Sequence, residues 1–439
     1  MPTAVAPRLL DRISITGGTL NPHALPKSLT LRETLGLVTA ATLDGQLLHT
    51  NHHGGLFEIR ATKTPGGDYL MMFPDGLPNS ADSGGHYGGK DRVKVNAMLA
   101  FRSKDRGRTW SGPTQPLDID YNQHGFIPLI PRGSKRIYMF GTQPVWDEFS
   151  IAKGQAENAP IGFRYSDDDG HTWSDLTLIR PVNDPGYKGM SVMRMCETDT
   201  GAWLLGTHMG DYTFTPVRTR QYLLRSNDQG KTWTLLPGTG ADGWFVPKYD
   251  RMDEGLPVAL GDGRVLLMTR TCEGHLWAAR SSDDGKTWTK PAPTTLIHPD
   301  APPMLFPLSD GKTLAAFHHH EFLDRNYTVF GGKDEAFKPR RQLWVSFSSD
   351  GGDTWSEPRF VLANAAAPQF RTQDKDGGSW WNNQCSYIDA FVDDGEIHVF
   401  MPHLWHYALH LRMRERDLFT LPLAREIHAH KRDSSRHSH

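Results

Sequence analysis

The chain has few cysteines and almost no net charge, and each shortage excludes a class of protein. Its 439 residues include only three cysteines, and no Cys-x-x-Cys pair occurs. An odd, widely spaced set of cysteines argues against a disulfide framework and against a cysteine-built zinc site. The 48 basic and 50 acidic residues nearly cancel, which argues against a broad nucleic-acid-binding face.

Long apolar runs are missing as well. The first fifteen residues lack the apolar stretch of a signal peptide, and no later run is long enough to span a bilayer. We therefore expect no membrane partner and a cytoplasmic protein as written, while the mature form of a secreted or periplasmic protein would give the same pattern. Gly (43) and Pro (30) are plentiful, which favours many short strands joined by turns.

One octet, Ser-x-Asp-x-Gly-x-Thr-Trp, recurs along the chain. Its tryptophans are 55 to 67 residues apart, and the five copies are Ser103–Trp110, Ser166–Trp173, Ser226–Trp233, Ser281–Trp288 and Ser348–Trp355. The aspartate can accept hydrogen bonds from nearby backbone N–H groups and the glycine permits positive φ, so each octet predicts a hairpin turn. The tryptophan starts the next strand and buries a large apolar surface. We assign these residues to the fold and not to a functional site.

The spacing of the octets predicts an all-β fold, a six- or seven-bladed β-propeller. About 60 residues suffice for four antiparallel strands, which make one blade. Five blades carry an octet, and a sixth without one runs from about Ser386 to Leu421. We expect residues 1–421 to form a single domain, with residues 1–53 closing the ring or contributing a blade. Residues 422–439 are expected to be a disordered, basic and His-rich tail.

These octets are the Asp boxes, or BNR repeats, of the sialidase-like β-propeller superfamily, which the chain resembles over nearly its whole length. Sialidases hold a substrate carboxylate with three arginines, and they use a Tyr–Glu pair and an acid/base Asp. The resemblance assigns Tyr387 as the nucleophile, Glu254 as its partner and Asp91 as the acid/base. It assigns the second and third arginines to Arg270, sixteen residues after Glu254, and to Arg341.

The first of the three arginines is where the chain departs from the sialidase pattern. Counting back from the turn glycine, Gly67, leads to Phe57-Glu58-Ile59 in place of the family's Arg-Ile-Pro. Arg60 is nearby, but its odd offset should point it to the opposite face of the strand. This departure argues against ordinary sialidase activity.

Histidines at the ends of inner strands are what the chain has instead. A similar pattern of His, Tyr and Arg is found in propeller enzymes that act on rhamnose–glucuronate or ulvan-type uronate linkages. We predict that His53 and His124 are catalytic. The predicted substrate-binding residues, besides Arg341, are Arg194, His86, His208, His318 and His403. No metal site is predicted, because at most two side chains of the run 318–320 share one face of a strand.

The predicted function is that of a carbohydrate-active enzyme cleaving a terminal acidic-sugar linkage in an oligo- or polysaccharide. We favour a β-elimination lyase of the rhamnose–glucuronate type, in which Arg270 and Arg341 neutralise the uronate carboxylate. Tyr387 or His53 then takes the neighbouring proton.

Two alternatives remain open. One is a glycoside hydrolase, sialidase-like or an α-L-rhamnosidase, in which Asp91, Glu254 and Tyr387 do the chemistry. The other is a non-catalytic glycan-binding propeller. No cofactor is required by any of these readings, although some lyases recruit a calcium ion for β-elimination.

Overall fold

The structure is a computed structural model that describes most of the propeller. The residues described are 13–15, 18–20, 31–34, 37–51, 55–56, 58–77, 96–117, 126–142, 158–211, 213–214, 217–240, 242–246, 250–320, 340, 342–364, 385–403 and 405–426. Within these residues the chain forms six blades, each built on four antiparallel strands. The predicted all-β propeller is confirmed, with six blades.

The first five blades are continuous in sequence, and each runs from its inner to its outer strand in chain order. Their strands are, in blade 1, β6 (Arg60–Lys63), β7 (Tyr69–Gly76), β8 (Asn96–Ser103) and β9 (Ser111–Leu117); in blade 2, β10 (Ile127–Leu129), β11 (Ile137–Thr142), β12 (Ile161–Ser166) and β13 (Thr177–Leu178); in blade 3, β14 (Cys196–Glu197), β15 (Trp203–Asp211), β16 (Arg218–Ser226) and β17 (Thr234–Leu236); in blade 4, β18 (Met252–Gly261), β19 (Arg264–Thr271), β20 (His275–Ser281) and β21 (Ala292–Ile297); in blade 5, β22 (Met304–Pro307), β23 (Leu314–His318), β24 (Gln342–Ser348) and β25 (Arg359–Asn364).

The sixth blade combines both ends of the chain. Its three inner strands are β26 (Asp389–Asp393), β27 (Glu396–His403) and β28 (Tyr407–Arg414), and its outer strand is the N-terminal β5 (Asp44–Thr50). Backbone hydrogen bonds between β28 and β5 therefore close the ring, and β26 contacts β6 of the first blade.

Other N-terminal strands lie outside the six four-stranded blades. These are β3 (Leu31–Thr34) and β4 (Leu37–Ala40), which extend blade 5 at its outer edge, and β1 (Ile13–Ile15) and β2 (Gly18–Leu20), which pair with each other.

The chain continues on blade 5 beyond the predicted end of the domain. After a 3₁₀ helix at Glu415–Thr420, the carbonyl of Pro422 accepts a hydrogen bond from Phe360 N at 2.8 Å, and Ala424 N donates to Pro358 O at 2.8 Å. Residues 422–426 thus belong to the folded domain, so the predicted tail began too early. Residues 427–439 lie outside the described residues. No helix in the described ranges is long and apolar enough to cross a membrane.

The Asp boxes are closed by local hydrogen bonds. In the fourth box, Ser281 Oγ donates to the Asp283 carboxylate at 2.8 Å and accepts from Gly285 N at 2.9 Å. Thr287 donates to the same carboxylate through its backbone N–H at 2.9 Å and its hydroxyl at 2.7 Å. The other four boxes repeat this pattern. The carboxylates of the box aspartates thus accept hydrogen bonds within their own turns, in agreement with their assignment to the fold.

Removing one box carboxylate should destabilise the propeller. We expect Asp283→Ala to lower the free energy of unfolding by about 1–2 kcal/mol, because several hydrogen bonds to an ionised acceptor are lost. The backbone N–H and the hydroxyl of Thr287 lower the pKa of Asp283 from 3.8 to about 2. A carboxyl whose pKa is lowered by folding stabilises the fold above its unfolded pKa, so this contribution is complete at neutral pH. Urea unfolding at pH 7 checks this, with the exposed neighbour Ser282→Ala as control; equal stabilities of the two variants would contradict it.

Antiparallel pairing gathers three kinds of strand end at one face of the propeller. The start of each inner strand, the end of the second and the start of the third meet there, while the boxes follow the third strands at the opposite face. Tyr387 precedes β26, Glu254 lies near the start of β18, and Arg270 is near the end of β19. All three therefore converge on the axis at the same face.

Candidate active site

Tyr387, Glu254 and Arg270 form one buried cluster at the axis. The Tyr387 hydroxyl donates a hydrogen bond to Glu254 Oε1 at 2.7 Å. Arg270 Nη1 lies 3.3 Å from the phenol oxygen and 2.7 Å from Glu254 Oε2. A phenol held between a carboxylate and a guanidinium can pass its proton to the carboxylate while the cation stabilises the developing phenolate.

Unusual backbone conformations aim two of these side chains. Glu254 has a φ of 48° and Tyr387 a φ of 59°, both in the left-handed region that non-glycine residues rarely occupy. The pairing of β18 with β19 shifts register between Asp253 and Leu256, so Glu254 sits in a bulge. A bulge re-aims a side chain relative to strand alternation, and strain of this kind is concentrated at functional sites.

A network of buried charges supports Arg270 from behind. Its Nε lies 2.6 Å from an Asp300 oxygen and 3.4 Å from Asp253. Arg251 bridges the same two carboxylates, at 3.0 Å to Asp253 and 3.4 Å to Asp300. Asp300 is fully buried, and the guanidinium groups of Arg251 and Arg270 hold its pKa below the ordinary value despite that burial. The network fixes the orientation of Arg270 toward Glu254 and Tyr387.

The protonation states at the cluster follow from its electrostatics. Burial, followed by the negative charge of Glu254, raises the pKa of the Tyr387 phenol well above its ordinary value. Burial opposes ionisation of Glu254, but Arg270 and then His208 offset it and hold the pKa of Glu254 below its ordinary value. At neutral pH the site therefore contains a neutral phenol that donates to an ionised carboxylate.

A second arginine beside the cluster is Arg340, the neighbour of the predicted Arg341. Arg340 is buried and donates through Nη2 to the carbonyl of Asp300. Burial, and then repulsion from Arg270, lowers the pKa of Arg340. Arg341 lies outside the described residues.

The first blade contributes both a carboxylate and an arginine. Glu58 is buried with a φ of 38°, and its charge is close enough to raise the pKa of Tyr387. Strand alternation predicts that Arg60 points away, and this prediction is wrong, because the positive φ of Glu58 interrupts the alternation. Arg60 reaches the axis, where it donates to the carbonyls of Tyr387 at 3.3 Å and Val192 at 2.7 Å. A carboxylate thus stands close to Tyr387, and Arg60 Nη2 lies 4.0 Å from one of its oxygens.

Two predicted substrate-binding residues lie at the cluster but are held by protein groups. His208 is buried, and its Nδ1 accepts a hydrogen bond from Glu254 N at 3.3 Å, so it steadies the bulge. Arg194 is paired with the Asp389 carboxylate and donates to Ala61 O at 2.6 Å. Because these contacts join blades 3, 6 and 1, Arg194 helps to hold the three blades together at the axis.

Two predicted histidines are located in the interior of their blades. Both ring nitrogens of His318 are hydrogen-bonded, to Ile297 O at 3.1 Å and Ser346 Oγ at 3.0 Å, so the prediction that it binds substrate is corrected to a structural role. His403 is buried as well, and burial lowers its pKa to about 3. Neither ring is exposed to a substrate.

Several predicted residues cannot be placed. Asp91, His53, His124, His86 and Arg341 lie outside the described residues. Among the described residues, no group of three or more His, Cys, Asp or Glu side chains is arranged to hold a metal ion.

The site also contains residues that the sequence patterns did not single out, namely Asp253, Asp300, Arg251, Arg340, Glu58 and Trp405. Trp405 packs on the Tyr387 ring at 5.4 Å between centroids. Asp300 had a signal, since it stands in the proline-rich segment 298–303, whose stiffness is equally typical of an ordinary inter-blade loop. The others had none beyond their proximity in sequence to predicted residues.

Six blades, five Asp boxes and a Tyr–Glu–Arg cluster on the axis together define the sialidase-like class of β-propellers. The model of the BNR repeat-like domain matches residues 130–399, which is more than half of the chain. The chain belongs to this family.

Known relatives with related sequences act on sugars, as their names state. The chain is 27% identical over 317 residues to a sialidase of Micromonospora viridifaciens, covering 67% of this chain and 44% of the sialidase. It is 31% identical over 147 residues to the xyloglucanase Xgh74A of Acetivibrio thermocellus, covering 32% of this chain and 17% of the xyloglucanase. The chain therefore spans less than half the length of either relative.

Among solved structures, a Hadza microbial sialidase superposes with a TM-score of 0.59 at 16% identity, over 89% of this chain and 74% of that protein. A likeness at this identity supports the propeller fold alone.

Proposed function

We propose that the protein is a glycoside hydrolase that removes a terminal sugar from a glycan, with Tyr387 as its nucleophile. The observation that carries this proposal is the 2.7 Å hydrogen bond from the Tyr387 hydroxyl to Glu254, with Arg270 at 3.3 Å from the same oxygen. The sequence relationship to a sialidase and a xyloglucanase supports a carbohydrate substrate.

The proposed reaction has two steps. Tyr387 Oη attacks the anomeric carbon as its proton moves to Glu254 Oε1, and the bond from that carbon to the leaving oxygen breaks. The leaving oxygen takes a proton from a general acid, for which Asp91 is the sequence-based candidate. Water then cleaves the glycosyl–tyrosine bond and restores the phenol, so that the configuration at the anomeric carbon is retained.

We further propose that the terminal sugar is acidic. An acidic sugar is supported by the two arginines beside Tyr387, Arg270 and Arg340, because a planar guanidinium pairs well with a carboxylate. A neutral phenol as nucleophile also avoids repulsion with an anionic substrate. The nearby Glu58 would have to face a hydroxyl of such a sugar rather than its carboxylate.

A uronate lyase is the second candidate, and the same two arginines favour it. They would neutralise the uronate carboxylate while a base removes the adjacent proton and the 4-linked sugar leaves. The bases predicted for this step are Tyr387, which belongs to the cluster, and His53 and His124, which lie outside the described residues. An unsaturated uronate product absorbs ultraviolet light, whereas hydrolysis produces no such absorbance.

A single panel of substrates tests both candidates. Released reducing sugar and ultraviolet absorbance are measured with 4-methylumbelliferyl α-sialoside, α-L-rhamnoside and β-glucuronide, and with gum arabic. For any substrate turned over, we expect Tyr387→Phe to reduce kcat by a factor on the order of 10³ or more, because the nucleophile is absent while the ring still packs on Trp405. Tyr165→Phe, in blade 2 on the Asp-box side, is the matched control and should keep full activity. Turnover retained by Tyr387→Phe would exclude the phenol as nucleophile.

A further inference from the structure

A cavity opens at the same face of the propeller, between blades 3 and 4. Its volume is about 260 Å³, and its walls include Phe214, Arg218, Arg220 and Asp250. The cavity lies where β15 ends, where β16 begins and just before β18 begins, which are the strand ends that face the Tyr387 side. Nothing in the proposed chemistry uses these residues.

Two exposed aromatic rings belong to this region: Phe214 lies in the cavity wall, and Phe245 is stacked on the wall residue Arg220. Phe214 is 40% exposed and Phe245 is 42% exposed. The guanidinium carbon of Arg218 lies 3.6 Å from the Phe214 ring centroid, and that of Arg220 lies 3.7 Å from the Phe245 centroid. Each arginine is stacked on one ring, which holds the ring in place while a large part of it stays accessible to solvent. Exposed rings that are held rigid are suited to binding the apolar face of a sugar.

The polar groups of the cavity are balanced in charge. Arg220 is paired with one oxygen of Asp250, and Arg218 Nε lies 3.5 Å from the other. Asp211 contributes a second carboxylate to the wall, and it accepts hydrogen bonds from the hydroxyl and N–H of Thr213. Two cations therefore face two anions. Such a set offers donors and acceptors to hydroxyl groups without excess charge, which favours a neutral ring over an acidic one.

The cavity is connected to the Tyr387 cluster by a short chain of hydrogen bonds and by residues that are adjacent in the sequence. Thr219, in the cavity wall, donates through its hydroxyl to Asp253 at 3.0 Å, and Asp253 lies 3.4 Å from Arg270. Met209 of the wall follows His208, whose ring accepts the Glu254 N–H. The two sites thus share a boundary at the start of β18.

We propose that this cavity is a glycan subsite that binds a neutral pyranose of the same chain whose terminal sugar is cleaved at Tyr387. The role as a subsite rests on the proposed function, whereas the binding of a neutral sugar does not. Phe214 and Phe245 contact the apolar face of the pyranose, and Arg218, Arg220 and Asp250 bind its hydroxyls. Contacts with a sugar remote from the cleaved bond orient the substrate and contribute to its binding.

Binding is tested by calorimetric titration in the full-length Tyr387→Phe background, which prevents turnover. The probes are xyloglucan heptasaccharide, a neutral glycan, and trigalacturonate, an acidic one. We expect the heptasaccharide to bind, and Phe214→Ala or Phe245→Ala to weaken its binding about tenfold, as loss of an aromatic contact at a binding site commonly does. Phe419→Ala, an equally exposed phenylalanine (44%) after β28, should leave the dissociation constant unchanged.

The outcomes separate this proposal from the proposed function. No binding of the heptasaccharide, tighter binding of trigalacturonate, or equal binding by both cavity variants and the control would each overturn the subsite. Thermal unfolding of each variant checks that the fold is intact. If binding depends on Phe214 and Phe245 but the unmodified protein cleaves no glycan of the panel, the proposed hydrolysis fails and the neutral-sugar site stands.

Discussion

Replacing Arg270 with methionine is expected to lower the free energy of unfolding by about 3–5 kcal/mol, because buried carboxylates lose their cation. Arg270 contacts Glu254, Asp253 and Asp300, all of which are buried. Methionine fills much of the same space, so the loss reports on charge more than on packing. Urea unfolding followed by circular dichroism measures it.

A surface pair provides the matched control. Arg425 lies 2.8 Å from Glu357, and its side chain is 71% exposed. Arg425→Met should lower the free energy of unfolding by less than about 1 kcal/mol, because water solvates both charges of an exposed ion pair whether or not they are paired. A similar loss from both substitutions would mean that the buried network contributes no more than a surface pair does.

Lowering the pH from 7 to 5 is expected to lower the free energy of unfolding of the propeller steeply. Six buried histidines among the described residues have pKa values that burial lowers below the ordinary 6.5. The value is about 3 for His318, His319, His403 and His410 and about 4 for His398, and the sixth is His298. In the unfolded chain these rings take up protons below pH 6.5, while in the folded protein they stay neutral. Their contribution to stability is therefore complete above pH 6.5 and is lost progressively as the pH falls toward the folded pKa.

The size of this effect follows from proton linkage. Each ring makes the free energy of unfolding fall by about 1.4 kcal/mol per pH unit in that window, and by about 2 kcal/mol in total at pH 5.

Urea unfolding at half-unit steps from pH 7.5 to 5 measures the slope. His403→Gln should reduce the slope by the share of one ring, about 1.4 kcal/mol per pH unit. Replacing an exposed histidine, His171→Gln, should leave the slope as it is. A stability that does not change between pH 7.5 and 5 would contradict the neutral, buried state of these rings.

The cluster of Tyr387, Glu254 and Arg270 was largely predictable, because its members resemble a family motif in residue type and spacing. Tyr387, Glu254 and Arg270 are brought together although Tyr387 is 133 residues from Glu254 and 117 from Arg270. The resemblance identified these residues because Glu254 precedes Arg270 by sixteen residues, as in the family motif, and because Tyr387 opens the last blade.

The positions of the histidine rings were harder to predict, because the place of a histidine near a strand end does not show in which direction its ring points. His318 shares its blade end with the site, yet both of its nitrogens bond to neighbouring strands. His208 does reach the cluster, but through the backbone N–H of Glu254. Only the packing of adjacent strands separates these two cases.

The repeating blade and three residues of the axial cluster could be predicted from the amino-acid sequence. The boxes can be recognised because their hydrogen bonds join residues at most four positions apart, so residue type and spacing specify them completely. Four features became apparent only in the folded protein: β5 closes the ring, Arg60 turns inward beside Glu58, Asp300 supports Arg270, and Phe214 and Arg220 line one cavity. Each of these depends on contacts between segments from different parts of the chain, and such contacts form only when the whole ring is closed and its strand ends meet at one face.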